Sequence, residues 1–287
     1  MRWTPGNRDN IVDARGRSGV GLTRGVPLGL GGLLLVALLS WATGTDLLSP
    51  LSSPDSSTSV NNTPSAPAAT SPEEEREVNF VDAVAQDVQD TWQQILPRQY
   101  QRTQVVLFRD AIDSNCGMAQ SATGPFYCPQ DEHVYLDLEF FNELRNRFGA
   151  PGEFARAYVI AHEFGHHVQR LTGIEERVRT AQQRQPSAAN ALSVRLELQA
   201  DCYAGVWGHA ASQPGRAAKG DVELDPGDVE SGLNAAASIG DDRLQRMAGS
   251  RVAPERFTHG SSAQRVEWFR KGLSSGDPNA CDTFANQ

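Results

Sequence analysis

Five residues, His162-Glu163-Phe164-Gly165-His166, carry the clearest chemistry in this sequence. They form an HExxH pattern inside a stretch, 153–172, whose apolar spacing predicts a helix. Side chains four apart on a helix lie one above the other. His162 and His166 are therefore expected to grip one Zn2+ through their imidazoles. Glu163 sits beside them, where its carboxylate reaches a water polarised by the metal. The chemistry implied is metal-assisted hydrolysis. The flanks Tyr158-Val159-Ile160-Ala161, Phe164 and Val168 are apolar, so the helix should be buried, and polar groups on a buried helix need partners. A pair of satisfied core histidines is the bland alternative.

A catalytic zinc site takes three protein ligands and keeps one position open. Downstream, Glu197 and Asp201 are four apart and share a helix face among Leu192, Val194, Leu196, Leu198, Ala200 and Tyr203. Carboxylates in such a setting are costly unless they meet a cation or a donor. Glu197 is read as the third ligand. Asp201 is read as the acceptor for the ring N–H of His162, which fixes its tautomer. Two surface acids, one paired to Arg195, are the alternative. His167 follows His166 by one position, points about 100° away and cannot share the metal. His133 reads as a surface strand residue, and Trp92, Trp207 and Trp268 as core. Asp241 and Asp242 lack EF-hand spacing and read as helix N-terminal acids.

The elements that must position these groups follow from periodicity. Residues 77–96 have helical spacing (Phe80, Val81, Val84, Val88, Trp92, Ile95). Segments 104–108, 125–128 and 132–136 read as strands, with a Gly/Ser/Thr-rich turn over 117–125. Helices are expected near 138–148, 153–172, 175–184, 190–210, 226–239, 241–248 and 261–273. Asp225-Pro226 reads as N-cap and first helical position. The fold class is α+β, a small sheet beside a mainly helical bundle.

Residues 1–25 carry five arginines, and Val26–Ala42 is a run of 17 residues without charge. As a helix this run rises about 25 Å, enough to cross a bilayer core. It is expected to be an uncleaved anchor, with the N-terminus cytoplasmic by the arginine excess and the remaining chain extracytoplasmic. A cleaved signal peptide is the rival, weakened by the poor cleavage site Ser40-Trp41-Ala42. Residues 43–72, rich in Ser, Thr, Pro and Ala, read as a disordered linker, which leaves 73–287 as one domain. The chain has a formal charge of −9; residues 73–287 hold 31 acids against 21 basic residues. So acidic a body has no footprint for nucleic acid, and no such partner is expected. No CxxC pair occurs among Cys116, Cys128, Cys202 and Cys281. Two bridges, Cys116–Cys128 and Cys202–Cys281, are expected if the domain lies outside the cytosol; four free thiols are expected otherwise.

HExxH followed by ExxxD on a later helix resembles the gluzincin zinc peptidases. The longer strings HEFGHHVQRLTG (162–173), RLELQADCYAGVWG (195–208) and THGSSAQRVEWFRKG (258–272) are similar to the bacterial neutral zinc metallopeptidases of the YpfJ-like family. The opening MRW, an IVDARG stretch and the apolar run that follows are similar too. His209 departs from the pattern, where a small residue is expected. The resemblance implies a zincin-like fold and a zinc-dependent peptidase acting on a protein or peptide. In that reading the metal sits on His162, His166 and Glu197. Glu163 takes a proton from the attacking water and returns it to the leaving amine. A further donor should steady the tetrahedral oxyanion. His259, in the turn before the last helix, is the first candidate; Tyr203 and His209 are weaker ones. Two rivals stand beside the peptidase: a catalytically silent scaffold with the same fold, and a structural zinc module closed by a fourth protein ligand.

Overall fold

Ser71 opens the first long helix by accepting a bond from the Glu74 N–H, with Pro72 at the first position and three glutamates in the first turn. All three features suit a helix N-terminus, whose unpaired N–H groups and positive dipole end favour oxygen acceptors and acids. This computed structural model describes residues 1–16, 70–120 and 124–285. In chain order they form β1 (Ile11–Asp13), α1 (Pro72–Ile95), β2 (Val105–Phe108), β3 (Ala111–Ser114), β4 (Gly117–Gln120), β5 (Phe126–Cys128) and β6 (His133–Asp137). Helices follow: α2 (Glu139–Asn146), α3 (Glu153–Leu171), α4 (Ile174–Arg184), α5 (Ala189–Ala211), α6 (Asp228–Ser238), α7 (Asp241–Met247) and α8 (Ser262–Ser275). The class is α+β and mainly helical, with sheet order β1-β2-β6-β5 and a separate β3-β4 hairpin. β1 and β6 run parallel to β2, while β5 pairs antiparallel to β6 and forms one edge.

α3 packs against α1 and the sheet and against α5 and α6, and α8 packs on α5 and α6. Two glycine contacts set how closely these helices meet. A Cβ on Gly165, inside HExxH, would lie 3.0 Å from the Ala200 carbonyl of α5. A Cβ on Gly272 would collide with the Cys202 carbonyl. Glycine at both points lets backbones approach, which draws α5 between α3 and α8. Both expected disulfides are present, Cys116–Cys128 and Cys202–Cys281. Trp92 and Trp207 are fully buried, while Trp268 is half-buried with the Lys271 ammonium over its ring.

Four expectations are corrected. The Gly/Ser/Thr-rich stretch contains β4, paired to β3 in a hairpin. α6 begins at Asp228 after a left-handed Gly227, so Asp225 and Pro226 lie in the turn before it. The N-terminal residues are not a separate segment: β1 pairs with β2 from Ile11–Val105 to Asp13–Leu107. Asn10 donates to Asp82 Oδ1 at 3.0 Å and to Gln86 Oε1 at 2.9 Å, and accepts from Gln89 at 2.8 Å.

The transmembrane helix, and with it the single-pass placement with an extracytoplasmic domain, is the fourth. Residues 26–42 lie outside the described residues. Among the described residues no helix is long and apolar enough to cross a membrane. The long helices α1, α3 and α5 all carry charged side chains in their turns. One crossing between residues 16 and 70 would also put β1 and β2 on opposite faces of a bilayer, which their backbone pairing forbids. A membrane contact made through such a helix is likewise not supported.

The buried Asn10 cluster makes a direct test of the arm. Asn10→Ala leaves two buried polar groups, Asp82 and Gln89, and the half-buried Gln86 short of a partner, so urea unfolding should show a loss of about 1–3 kcal/mol. An arm that stood apart from the domain would give no change.

Candidate metal centre

The spacing within α3 and α5 brings three donors together. His162, His166 and Glu197 each offer one ligand atom, all within 4.8 Å of one another. His162 Nε2 lies 3.1 Å from Glu197 Oε2, and His166 Nε2 lies 3.5 Å from Oε1. The two rings meet edge to face with centroids 4.9 Å apart. Two imidazole nitrogens and a carboxylate are the donor set of a catalytic zinc site, so the chemistry of the residues present fits a divalent cation. Cys202 does not close the set, because it is bonded to Cys281.

Each imidazole is held from behind by a different acceptor. His162 Nδ1 meets Asp201 Oδ1 at 2.9 Å. His166 Nδ1 meets Gln169 Oε1 at 2.8 Å. The Gln169 amide donates in turn to the Leu196 carbonyl at 2.7 Å and to Gln199 Oε1 at 3.1 Å. Asp201 is fully buried and also accepts from the Tyr158 hydroxyl and from both ends of the Arg265 fork. Sequence reasoning missed Gln169, Tyr158 and Arg265.

Charge decides the protonation of the cluster. Burial alone would lower His162, but the charge and bond of Asp201, then Glu197, outweigh it and raise it to about 10. Burial would likewise lower His166, and the Glu197 carboxylate reverses the sign. Burial would raise Glu197, yet His166 and His162 hold it well below the usual carboxylate range. Asp201 is lowered too, because the Arg265 charge overcomes its burial.

A cleft of about 660 Å³ opens over the cluster and is lined by Glu163, Tyr127, Phe148, Ile239, Leu244 and His259 among others. Glu163 is nearly buried and faces it. His259 reaches it on the loop before α8. Asp241 Oδ2 fixes that loop by accepting three successive backbone N–H groups, from Thr258 at 2.7 Å, His259 at 2.6 Å and Gly260 at 3.0 Å. The ring of His259 faces Asp241 Oδ1 at 3.3 Å, and this bond raises its pKa. Asp241 is a first-turn acid of α7, as read, but it is also the anchor of the His259 loop.

The other histidines and Tyr203 lie elsewhere. His167 is buried; its Nε2 meets the Gln101 carbonyl at 2.7 Å and its Nδ1 the Tyr127 hydroxyl at 2.9 Å. His133 is half-buried on β6 beside Asp131. His209 bonds the Leu273 carbonyl at 2.9 Å, away from the cleft. Tyr203 packs edge-on against Trp92, and burial pushes its hydroxyl up to about 12. Neither Tyr203 nor His209 lines the metal cleft.

A family model described as "Putative neutral zinc metallopeptidase" matches residues 1–284. The chain belongs to that family. It is 44% identical over 301 aligned positions to "Uncharacterized protein YpfJ" of Escherichia coli (strain K12), covering 99% of both chains. It is 47% identical over 211 positions to "Uncharacterized protein Rv2575" of Mycobacterium tuberculosis (strain ATCC 25618 / H37Rv), covering 72% of this chain and 68% of the relative. No solved structure matches. Membership of a zinc-peptidase family implies zinc and a protein or peptide substrate.

Ligand protonation gives this site a measurable signature. An imidazole must shed its ring proton before that nitrogen can bind a cation. With His162 raised to about 10, protons compete with metal throughout the neutral range. Zinc uptake at pH 7 should release at least one proton, and affinity should fall as pH drops. Calorimetry in buffers of different ionisation enthalpy reads both; a binding heat independent of buffer would contradict it.

Proposed function

We propose that the protein is a zinc-dependent peptidase whose ligands are His162, His166 and Glu197 and whose proton carrier is Glu163. The observation that carries this is the convergence of the three donors from α3 and α5 beneath a cleft that Glu163 also faces. His162, His166 and Glu197 would hold a Zn2+ there, and the chemistry it would supply is Lewis acidity toward a scissile carbonyl and a water. Glu163 accepts the proton as that water attacks, then delivers it to the departing amine. His259 donates to the oxyanion, and its bond to Asp241 favours the protonated ring that donation needs. Asp201 and Gln169 keep the far nitrogens of the two ligand rings occupied, so the near nitrogens face Glu197.

A peptide fits the cleft by backbone as well as by chemistry. β5 is an edge strand, and Gly124, Pro125, Phe126 and Tyr127 line the cleft beside the cluster. An exposed strand edge offers unpaired N–H and C=O groups to an extended chain. The Phe126 ring stacks on Tyr135 with centroids 4.8 Å apart, which steadies this rim. A catalytically silent scaffold with the same fold would keep the metal and the edge but not the proton transfer.

Two variants separate these readings. Glu163→Gln should lower hydrolysis of a peptide library by about 10²–10⁴-fold while zinc content stays at wild-type level. Unchanged proteolysis with zinc retained would end the peptidase reading. Asp241→Asn weakens the acceptor that holds the His259 loop, and kcat should fall by about 10²-fold or more with KM less affected. A loss confined to KM would remove His259 from the oxyanion.

A further inference from the structure

Arg265 has no place in the mechanism above, yet it lies against the metal cluster. It sits near the start of α8 and is 2% exposed. Nε donates to Asp201 Oδ2 and Nη2 to Oδ1, both at 2.9 Å, a fork across the whole carboxylate. Nη1 reaches the Ile239 carbonyl at 3.4 Å. Nη2 also lies 3.3 Å from the Tyr158 hydroxyl and 3.4 Å from His162 Nδ1.

A buried ion pair is weak evidence of stabilisation, since desolvation cancels much of the attraction. Three observations say what else this pair does. First, Asp201 Oδ1 takes the Tyr158 hydroxyl, Arg265 Nη2 and His162 Nδ1 together. A guanidinium only donates and an ionised carboxylate only accepts. The set therefore closes only with a ring hydrogen on His162 Nδ1, so Nε2, the nitrogen that faces Glu197, is the one left to take a cation. Second, two carboxylates, Glu197 and Asp201, bond opposite nitrogens of His162, and the guanidinium pairs with the fully buried one. Third, α8 follows directly on the loop that carries His259, so one side chain ties the orientation of His162 to that loop.

We propose that Arg265 is a positioning residue for the metal, acting through Asp201. It clamps the carboxylate against rotation, the carboxylate fixes the His162 ring, and the ring presents Nε2. Arg265 touches no reacting atom. The inference rests on the zinc-site reading above.

The test reads zinc affinity by chelator competition and the visible absorption of the Co2+-substituted protein, with melting curves to follow the fold. Arg265→Lys keeps the charge but loses the fork. Its zinc affinity should fall roughly ten- to hundredfold, with a changed Co2+ spectrum. In an Asp201→Asn background the same substitution should change affinity by less than about twofold, because both act through one bond. Zinc binding as tight as wild type, or a loss that adds in full to that of Asp201→Asn, overturns the role. If Arg265→Lys fails to fold, the double variant Arg265→Met/Asp201→Asn, which removes both charges, is compared with Asp201→Asn alone. Equal zinc affinity supports the inference, and a further tenfold loss overturns it. A wild-type protein that takes up no zinc would bring down the peptidase reading and this one together. Tight wild-type binding with an indifferent Arg265→Lys brings down this one alone.

Discussion

An ionised carboxylate with no access to water is the constraint around which this domain is arranged. Asp201 is fully buried at the centre of α5, and a charge there is tolerable only if donors surround it. Those donors come from two helices, His162 and Tyr158 from α3 and Arg265 from α8, and the carboxylate that accepts them projects from a third, α5. Meeting that demand forces the three helices into one register. The glycines at the crossings, Gly165 under Ala200 and Gly272 under Cys202, let the backbones come close enough for short side chains to bridge. Placing Glu197 over the two imidazoles is then a geometric consequence, since it lies one turn before Asp201 on the same face.

The N-terminal arm gains its place by the same logic of satisfying buried polar groups. Asp82 and Gln89 of α1 sit in the core and need donors and acceptors, and Asn10 with the Arg8 amide supplies them. β1 then completes the sheet by pairing with β2. Arg2 reaches across to Glu223 through side chain and backbone, tying the segment after α5 to the arm. The start of the chain is thus a structural part of the body that bears the metal site, and its composition gave no sign of this. The arm is polar because it solvates the polar groups of α1, and by periodicity a polar segment reads as loop.

The parts of the site that were legible in sequence share one property: they repeat along a single helix. His162, Glu163 and His166 follow from spacing in α3, and Glu197 and Asp201 from spacing in α5. α3, α4, α5 and α7 also lie within a residue or two of expectation, because amphipathic periodicity is local. Tyr158 and Gln169 carried a usable signal, being four before His162 and three after His166 on the ligand face. Arg265 and Asp241 carried none, for their partners are set only once helices distant in sequence have packed. The β3-β4 hairpin was missed because none of its strand residues is buried and they lack alternation. The membrane expectation failed for a different reason. Hydropathy scores a segment by itself, whereas the pairing of β1 with β2 constrains where both ends of the intervening chain must emerge.

His167 ties the rim of the cleft to the helix that carries the cation-site histidines. It is excluded from the ligand set by the helix turn, as spacing requires, and turns instead toward the sheet. There it accepts from or donates to the Tyr127 hydroxyl of β5 at 2.9 Å, while its other nitrogen meets the Gln101 carbonyl, so both ring positions are spent. Tyr127 lines the cleft, and among the described residues β5 is one edge of the sheet. The Cys116–Cys128 bond holds the end of that strand to the β3-β4 hairpin. Consecutive histidines on α3 therefore face two ways, His166 toward the cation site and His167 toward the strand that would bear the peptide. The edge strand and the cation site are thus joined through two adjacent residues of α3, one bonded to the strand and one facing the site.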